Sequence, residues 1–527
     1  MAWTKERIVE RLRSVLLGGA TLVLIGLVFY LGARSERSGF VQEVLDPGFR
    51  RLSDPVLKAF RGRPPAVARL EIILEPAAFD SLSARSERAY AYRRVLPDQN
   101  TALAGRVRTG ERELPVVVDL RPGLPVNSRQ RSWPVHVRAL PGDTVQDMQS
   151  FDVVAIDDEA PLWSILLHAM LQDQGLAGMK AGIAEVRINN EERGLCALYG
   201  GTDATMLARW SRGNGPVLYF DPDLLWNARA AMAERTFPSN TQPQGDWLSA
   251  PLLLQGATNE RNTNRARKAI QRMEAFRAGG LKASQVFDAN DLAKTMALCD
   301  LLGTTAAMDW WNLRFAVDSV SEQLVAIPLH ITEHAPIAST LAEQAMQRVA
   351  MEPGKEFAYQ AMKDPVVRDL YFAHLDTMAS PGWWEVARER TRPLWEQAQR
   401  IVNAAMPRVD LDLTVVEHDR RVITSALYPA DLILAYVSDT LTATDGVVLS
   451  NVHALPVAII GVVLTTGDTA RLPQGLELEP RQRDKPLHYT FLPLNVPGSP
   501  REILVRIGTS LKTRSVRIRT WSSFTAS

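Results

Sequence analysis

The sequence predicts an α+β protein carried on an N-terminal transmembrane helix and closed by a C-terminal β-sandwich. Three observations predict it. Ser14 to Ala33 runs without a charge over about the twenty residues a helix needs to cross a bilayer core. From Ala66 to Met406, segments of period-two apolar alternation are interspersed with segments of helical spacing. From Pro407 onward, β-branched residues gather in short runs separated by turn residues, the pattern of a sandwich. The 527 residues, 46% hydrophobic and 23% charged, supply core for two or three domains. The 60 basic and 59 acidic residues nearly cancel and form no long single-sign run, which argues against a nucleic-acid partner. Cys196 and Cys299 stand alone without C-x-x-C spacing, so neither a disulfide framework nor a cysteine zinc site is supported; one bridge between them stays open.

Taken in order, residues 1–13 read as a cytoplasmic tail, because Lys5, Arg7, Arg11 and Arg13 outnumber Arg34 and Arg37 on the far side of the apolar run. The rest of the chain is then placed outside a bacterial inner membrane, periplasmic or extracellular. Leu31-Gly32-Ala33 resembles a cleavage site weakly, and the apolar run is longer than a signal peptide needs. Residues 34–65, with Pro47, Pro55, Pro64 and Pro65, form a stalk. An α+β domain spans 66–406. It opens with a strand through Leu70, Ile72 and Leu74, a polar helix at Pro76 to Arg94, and strands at Glu113 to Leu120 and Trp133 to Leu140. Pro161 to Gly175 carries Leu162, Ile165, Leu166, Met170 and Leu171 at helical spacing and ends on a glycine suited to a left-handed cap. Ala184 to Ile188 and Leu195 to Tyr199 make a hairpin around Asn189 to Gly194. Residues 222–278 are mostly helical, Asp288 to Leu302 is an apolar-faced helix, Arg314 to Ala316 pairs with Leu324 to Ile331, and residues 337–406 are helical again with a break at Pro381-Gly382. The sandwich, 407–527, uses strands at Leu411 to Val416, Leu432 to Val437, Val447 to Leu449, Val457 to Thr465, His488 to Leu492, Ile503 to Ile507 and Val516 to Thr520.

The densest group of chemical side chains is VAIPLHITEHAP, Val325 to Pro336. His330, Glu333 and His334 spell H-x-x-E-H, in which two histidines one helical turn apart bind zinc and the glutamate activates water. Pro328, Pro336 and the β-branched neighbours oppose the helix this chemistry needs, and favour a strand ending in a polar turn. Gly200-Gly201-Thr202 invites a phosphate-loop reading but lacks the spacing and the lysine of a P-loop; a hairpin exit fits better. Trp310-Trp311 and Trp383-Trp384 suit either sugar stacking or core packing.

The order of elements, with residues at their corners, resembles the spore-coat CotH kinase family, over about Ala66 to Thr340. Arg131-Ser132-Trp133 with Val135 and Val137, the leucine-rich helix to Gly175, the hairpin from Asn189 to Cys196, Asn312 to Phe315, and Ile327 to Thr332 each resemble a family element. The resemblance implies an atypical kinase-like fold. Its chemistry requires a cation at the phosphates, acidic magnesium ligands and a carboxylate orienting the acceptor hydroxyl. Here the family glutamate is Gly200, while Asp203 remains; the family lysine is Phe220; and the two carboxylates of I-P-W-D-x-D are His330 and Thr332. The resemblance therefore implies a degenerate member, a pseudokinase acting as a binding or scaffolding component of envelope or exopolysaccharide assembly, with a protein or polysaccharide partner and no cofactor. The alternative is an active ATP-dependent phosphotransferase using Mg or Mn, in which Glu333 and Asp203 are catalytic and Arg131 and Asn312 bind the cofactor. The second alternative is a metal-dependent hydrolase on His330, Glu333 and His334. Asn312 and Asp309 each also suit a purely structural place in a turn.

Overall fold

The structure, a computed structural model, describes residues 65–92, 95, 102–120, 134–210, 215–233, 247–255, 260–329, 331, 334–347, 354–437, 446–472, 476–494, 498–508 and 511–520. Seven strands come first: β1 (Ala68–Leu74), β2 (Leu103–Thr109), β3 (Arg112–Leu120), β4 (Val135–Ala139), β5 (Ser150–Ala155), β6 (Ala181–Ile188) and β7 (Glu191–Gly200). They form a closed barrel in the order β1-β2-β3-β4-β5-β7-β6. Strand alternation explains what fills it. Leu70, Ile72 and Leu74 point to one face of β1, Val116, Val118 and Leu120 to one face of β3, and Val135, Val137 and Ala139 to one face of β4, and all are buried in a common core. Register keeps these residues opposite one another, with Val118 facing Val137 and Leu120 facing Val135.

Closure is made where β1 runs parallel to β6, Leu70 opposite Val186 and Ile72 opposite Ile188. The two-residue turn between β6 and β7 helps hold that seam. Asn189 and Asn190 lie at φ 48° and 67°, the left-handed region a tight primed hairpin demands and asparagine tolerates better than most residues. Asn189 then grips the end of β1: its Oδ1 accepts from Leu74 N at 2.7 Å, its Nδ2 donates to Leu74 O at 2.8 Å, and its backbone N donates to Ile72 O at 2.9 Å.

Helix α1 (Pro76–Tyr92) follows β1, and helix α2 (Ala160–Asp173) connects β5 to β6. From Ala160 to Leu171 every residue of α2 is buried, as expected of a helix apolar all round. Gly175 caps its end at φ 72°, and Gly175 N and Leu176 N donate to Gln172 O and Leu171 O. After the barrel come α3 (Ala204–Arg209), β8 (Val217–Phe220), α4 (Asp223–Ala233), β9 (Leu252–Gln255), α5 (Glu260–Arg277), α6 (Ala283–Val286), α7 (Ala289–Leu301), β10 (Leu313–Val317) and β11 (Leu324–Pro328). The four strands make a second sheet, ordered β11-β10-β8-β9. Beside it Phe220, Trp247, Phe276, Phe287, Phe315 and Phe357 meet largely edge to face, the arrangement ring quadrupoles prefer. Helices α8 (Leu341–Met346), α9 (Glu356–Met362), α10 (Pro365–Ala379), α11 (Pro381–Ala405) and α12 (Thr414–Leu427) complete the helical part.

The predicted fold class needs correction. The described residues form a mixed helix-and-strand structure built on a closed seven-stranded barrel with further sheets, in place of the predicted arrangement of one α+β domain followed by a sandwich. Leu411 to Val416, read as the first sandwich strand, leads instead into α12. Val416, Ile423 and Leu427 are β-branched or apolar at helical spacing and bury one face, while Asp412 Oδ1 accepts from Thr414 N and Oγ1 at the start. The remaining strands, β12 (Ile433–Val437), β13 (Val447–Asn451), β14 (Val457–Leu464), β15 (Thr469–Arg471), β16 (Glu477–Leu478), β17 (Thr490–Leu492), β18 (Pro500–Arg506), β19 (Arg514–Arg517) and β20 (Arg519–Thr520), make two sheets, β17-β13-β12-β20 and β15-β14-β18-β19, with β16 on β14. Among the described residues no helix is long and apolar enough to cross a membrane. The single-pass inner-membrane placement and its signal anchor thus find no support among the described residues; residues 14–33, on which they rested, lie outside them.

Removing the side-chain grip on β1 tests the seam. Asn189→Ala should lower unfolding free energy by about 2 kcal/mol, from two lost hydrogen bonds and a non-glycine, non-asparagine residue at positive φ. Urea unfolding measures it, and a change under about 0.5 kcal/mol would show that closure does not depend on this residue.

Candidate functional site

Asp203 sits where the chain leaves the barrel. Its Oδ2 accepts from both Ser150 N and Ser150 Oγ at 2.8 Å, and its Oδ1 accepts from Met206 N at 3.1 Å, capping α3. Close approach demands the glycine immediately upstream of Thr202 and makes the one before it a tight fit. Gly201 N donates to Ser150 O, and a Cβ on Gly201 would lie 2.2 Å from Ser150 Oγ. A Cβ on Gly200 would press on Lys180 O at 3.3 Å, so a glutamate there would crowd the pairing of β7 with the start of β6. Gly200-Gly201-Thr202 is thus a hairpin exit by packing.

Asn312 donates its side-chain Nδ2 to Ala306 O at 2.9 Å and serves the turn before β10. Asp309 pairs with the buried Lys355, whose Nζ also donates to Thr305 O at 2.7 Å. Trp310 and Trp384 are buried in the core, which takes them out of sugar stacking. Cys196 and Cys299 are both buried and unbridged, and burial pushes each thiol up to about 12. Arg131, His330 and Glu333 lie outside the described residues, and among the described residues no group of three or more His, Cys, Asp or Glu is placed to hold a metal.

His334 stacks flat on Trp163 of α2, with centroids 3.8 Å apart, and its Nε2 donates to Leu302 O at 3.1 Å. Burial drives its pKa down to about 4, so the ring is neutral at physiological pH. Ser164, also on α2, accepts from Ile331 N at 2.8 Å and donates to Ile331 O at 3.3 Å. The same stretch is held from its other end by two buried acids. Asp419 Oδ1 accepts from Ile337 N at 3.0 Å, and Asp300 Oδ2 accepts from Leu341 N at 3.0 Å and from the Tyr371 hydroxyl. Burial pushes both carboxyls up to about 7, and Asp300 Oδ1 and Asp419 Oδ2 have no hydrogen-bond partner among the described residues. Sequence reasoning passed over both acids; an aspartate inside the apolar run Leu298 to Leu302 was the available signal.

Beside Lys180 lies a cavity of about 990 Å³. One wall is α2 through Ile165 and Gln172, another is Met179 to Ile183 entering β6, and the others come from Met206 and Trp210 and from Leu394 and Ile401 of α11. At the rim, Lys180 Nζ donates to Gln146 O at 2.7 Å and meets Asp147 Oδ2 at 2.8 Å. Gln146 and Asp147 form a turn at φ 49° and 55°. No sequence motif marks Lys180.

No family model and no curated protein matches this chain.

The buried acids predict a pH dependence. A carboxyl whose folded pKa is raised from 3.8 to about 7 contributes stability present below pH 4 and lost as pH rises through about 7. Asp300→Asn should therefore match the parent near pH 4 and exceed it at pH 8, by on the order of 2–4 kcal/mol. Chemical denaturation at the two pH values measures it, and a pH-independent difference would contradict the buried charge.

Proposed function

We propose that this chain is a non-catalytic binding or scaffolding protein, a degenerate relative of the CotH kinases, and that it recognises a protein or polysaccharide partner. The observation carrying this reading is the fate of Asp203 and Asn312, the two described residues that the resemblance offers for a ligand site. Asp203 is taken up by three hydrogen bonds that join Ser150 to α3, and Asn312 by a turn. A carboxylate that orients an acceptor hydroxyl or holds magnesium needs oxygens directed at the ligand. Both Asp203 oxygens already accept backbone or hydroxyl protons within the fold. The family glutamate position, Gly200, packs too closely on Lys180 O to host a longer side chain without a shift.

The test uses the purified full chain with ATP and Mg²⁺ or Mn²⁺, followed by nucleotide-dependent thermal shift, phosphate release and metal content. The expected result is no metal-dependent turnover and no midpoint shift above about 1 °C, since a ligand binding only the folded state would raise it. Magnesium-dependent turnover abolished by Asp203→Asn or Glu333→Gln would establish the phosphotransferase reading instead. Stoichiometric zinc lost in His330→Ala would establish the hydrolase.

A further inference from the structure

The cavity beside Lys180 has the size and chemistry of a small-molecule site, independent of any phosphate chemistry. Ligand pockets run to about 300–1,000 Å³, mostly apolar, with a few fixed polar groups; this one encloses about 990 Å³. Its walls are apolar at Ile165, Met179, Ile183, Met206 and Leu394. Among the described lining residues the permanent charges are Lys180 and Asp147. They differ in access: the Lys180 side chain is 37% exposed and the Asp147 side chain 80%. Lys180 is thus the less exposed partner of the pair.

Three features make the lysine the recognition group. An exposed ion pair of this kind is worth about 0–1 kcal/mol, so an incoming anion displaces Asp147 at little cost. Gln146 and Asp147 are both held at positive φ, a conformation aspartate tolerates but that costs a residue such as Gln146 on the order of 1–3 kcal/mol. Lys180 braces that turn through Gln146 O, which fixes its ammonium at the mouth. Finally, the acceptors that would repel an anion at the adjacent end of α2 are occupied. Leu171 O and Gln172 O take the Leu176 and Gly175 amides, and Gln172 Nε2 covers Gly178 O and Met179 O.

We propose that this cavity binds an organic monoanion with an apolar body, its anionic group on Lys180 Nζ in place of the Asp147 carboxylate and its chain or ring against Met179, Ile183 and Met206. Binding is non-covalent and requires no cofactor.

Calorimetric titration of the full chain with octanoate, octanol and octyltrimethylammonium, all below their aggregation limits, tests this. Octanoate should bind saturably, and at least tenfold more tightly than either comparator. Lys180→Met should weaken octanoate at least tenfold while leaving octanol unchanged. Asp147→Asn, which removes the competing carboxylate, should tighten octanoate severalfold, and it keeps the test decisive if Lys180→Met does not fold. Equal affinity for octanoate and octanol, no saturable octanoate binding at millimolar concentration, or tighter binding of the ammonium probe would overturn the proposal. So would octanoate affinity unmoved by Asp147→Asn. Nucleotide turnover plays no part in these readouts, so the fate of the scaffolding reading leaves them intact.

Discussion

The Asp203 carboxylate is the contact on which the exit from the barrel depends. It receives Ser150 N and Ser150 Oγ on one oxygen and Met206 N on the other, joining the first residue of β5 to the first turn of α3. Hydrogen bonds to an ionised acceptor are roughly twice as strong as neutral ones. Three of them converging on one side chain fix how the chain leaves β7. The glycine at 201 follows from the same geometry, since a Cβ there would meet Ser150 Oγ at 2.2 Å, while one at 200 would press on Lys180 O at 3.3 Å. The cavity mouth at Lys180 lies directly beside these glycines, through Gly200 N donating to Lys180 O.

Helix α2 extends that constraint across the molecule. Predominantly apolar and buried from Ala160 to Leu171, it must be covered on every side. The stretch beyond β11 supplies part of the cover through Ile331 on Ser164 and His334 on Trp163. Asp300 and Asp419 hold the following residues by their backbone amides, at the cost of burying two carboxyls pushed up to about 7. Breaking such a contact leaves a buried group unsatisfied, which costs more than the bond itself contributes. The stretch that carried the zinc reading is accordingly gripped from both sides by structural contacts.

What the sequence disclosed was local. The β6–β7 and β10–β11 hairpins and the leucine spacing of α2 with its Gly175 cap each depend on residues close together in the chain; the α2 cap stands where it was expected, while the first hairpin turns on Asn189-Asn190 alone rather than on Asn189 to Gly194, and β11 ends at Pro328 rather than Ile331. Barrel closure was not legible, because parallel pairing of Leu70 with Val186 joins distant residues and leaves no periodicity of its own. The β-branched residues of α12 misled for a different reason: valine and isoleucine favour strands intrinsically, but tertiary burial at helical spacing decided. At the site, Asp203 and Asn312 were found by motif, yet their use is visible only once their partners are placed. Lys180 and the cavity carried no motif at all.

The claim that Asp203 is a structural tie is tested most directly by a double-mutant cycle with Ser150→Ala and Asp203→Ala, read by urea unfolding of the single and double variants. Residues sharing a hydrogen-bond network couple by about 0.5–3 kcal/mol. A coupling above about 1 kcal/mol is the predicted result. Additivity within about 0.3–0.5 kcal/mol would contradict it, and would leave Asp203 available for a ligand.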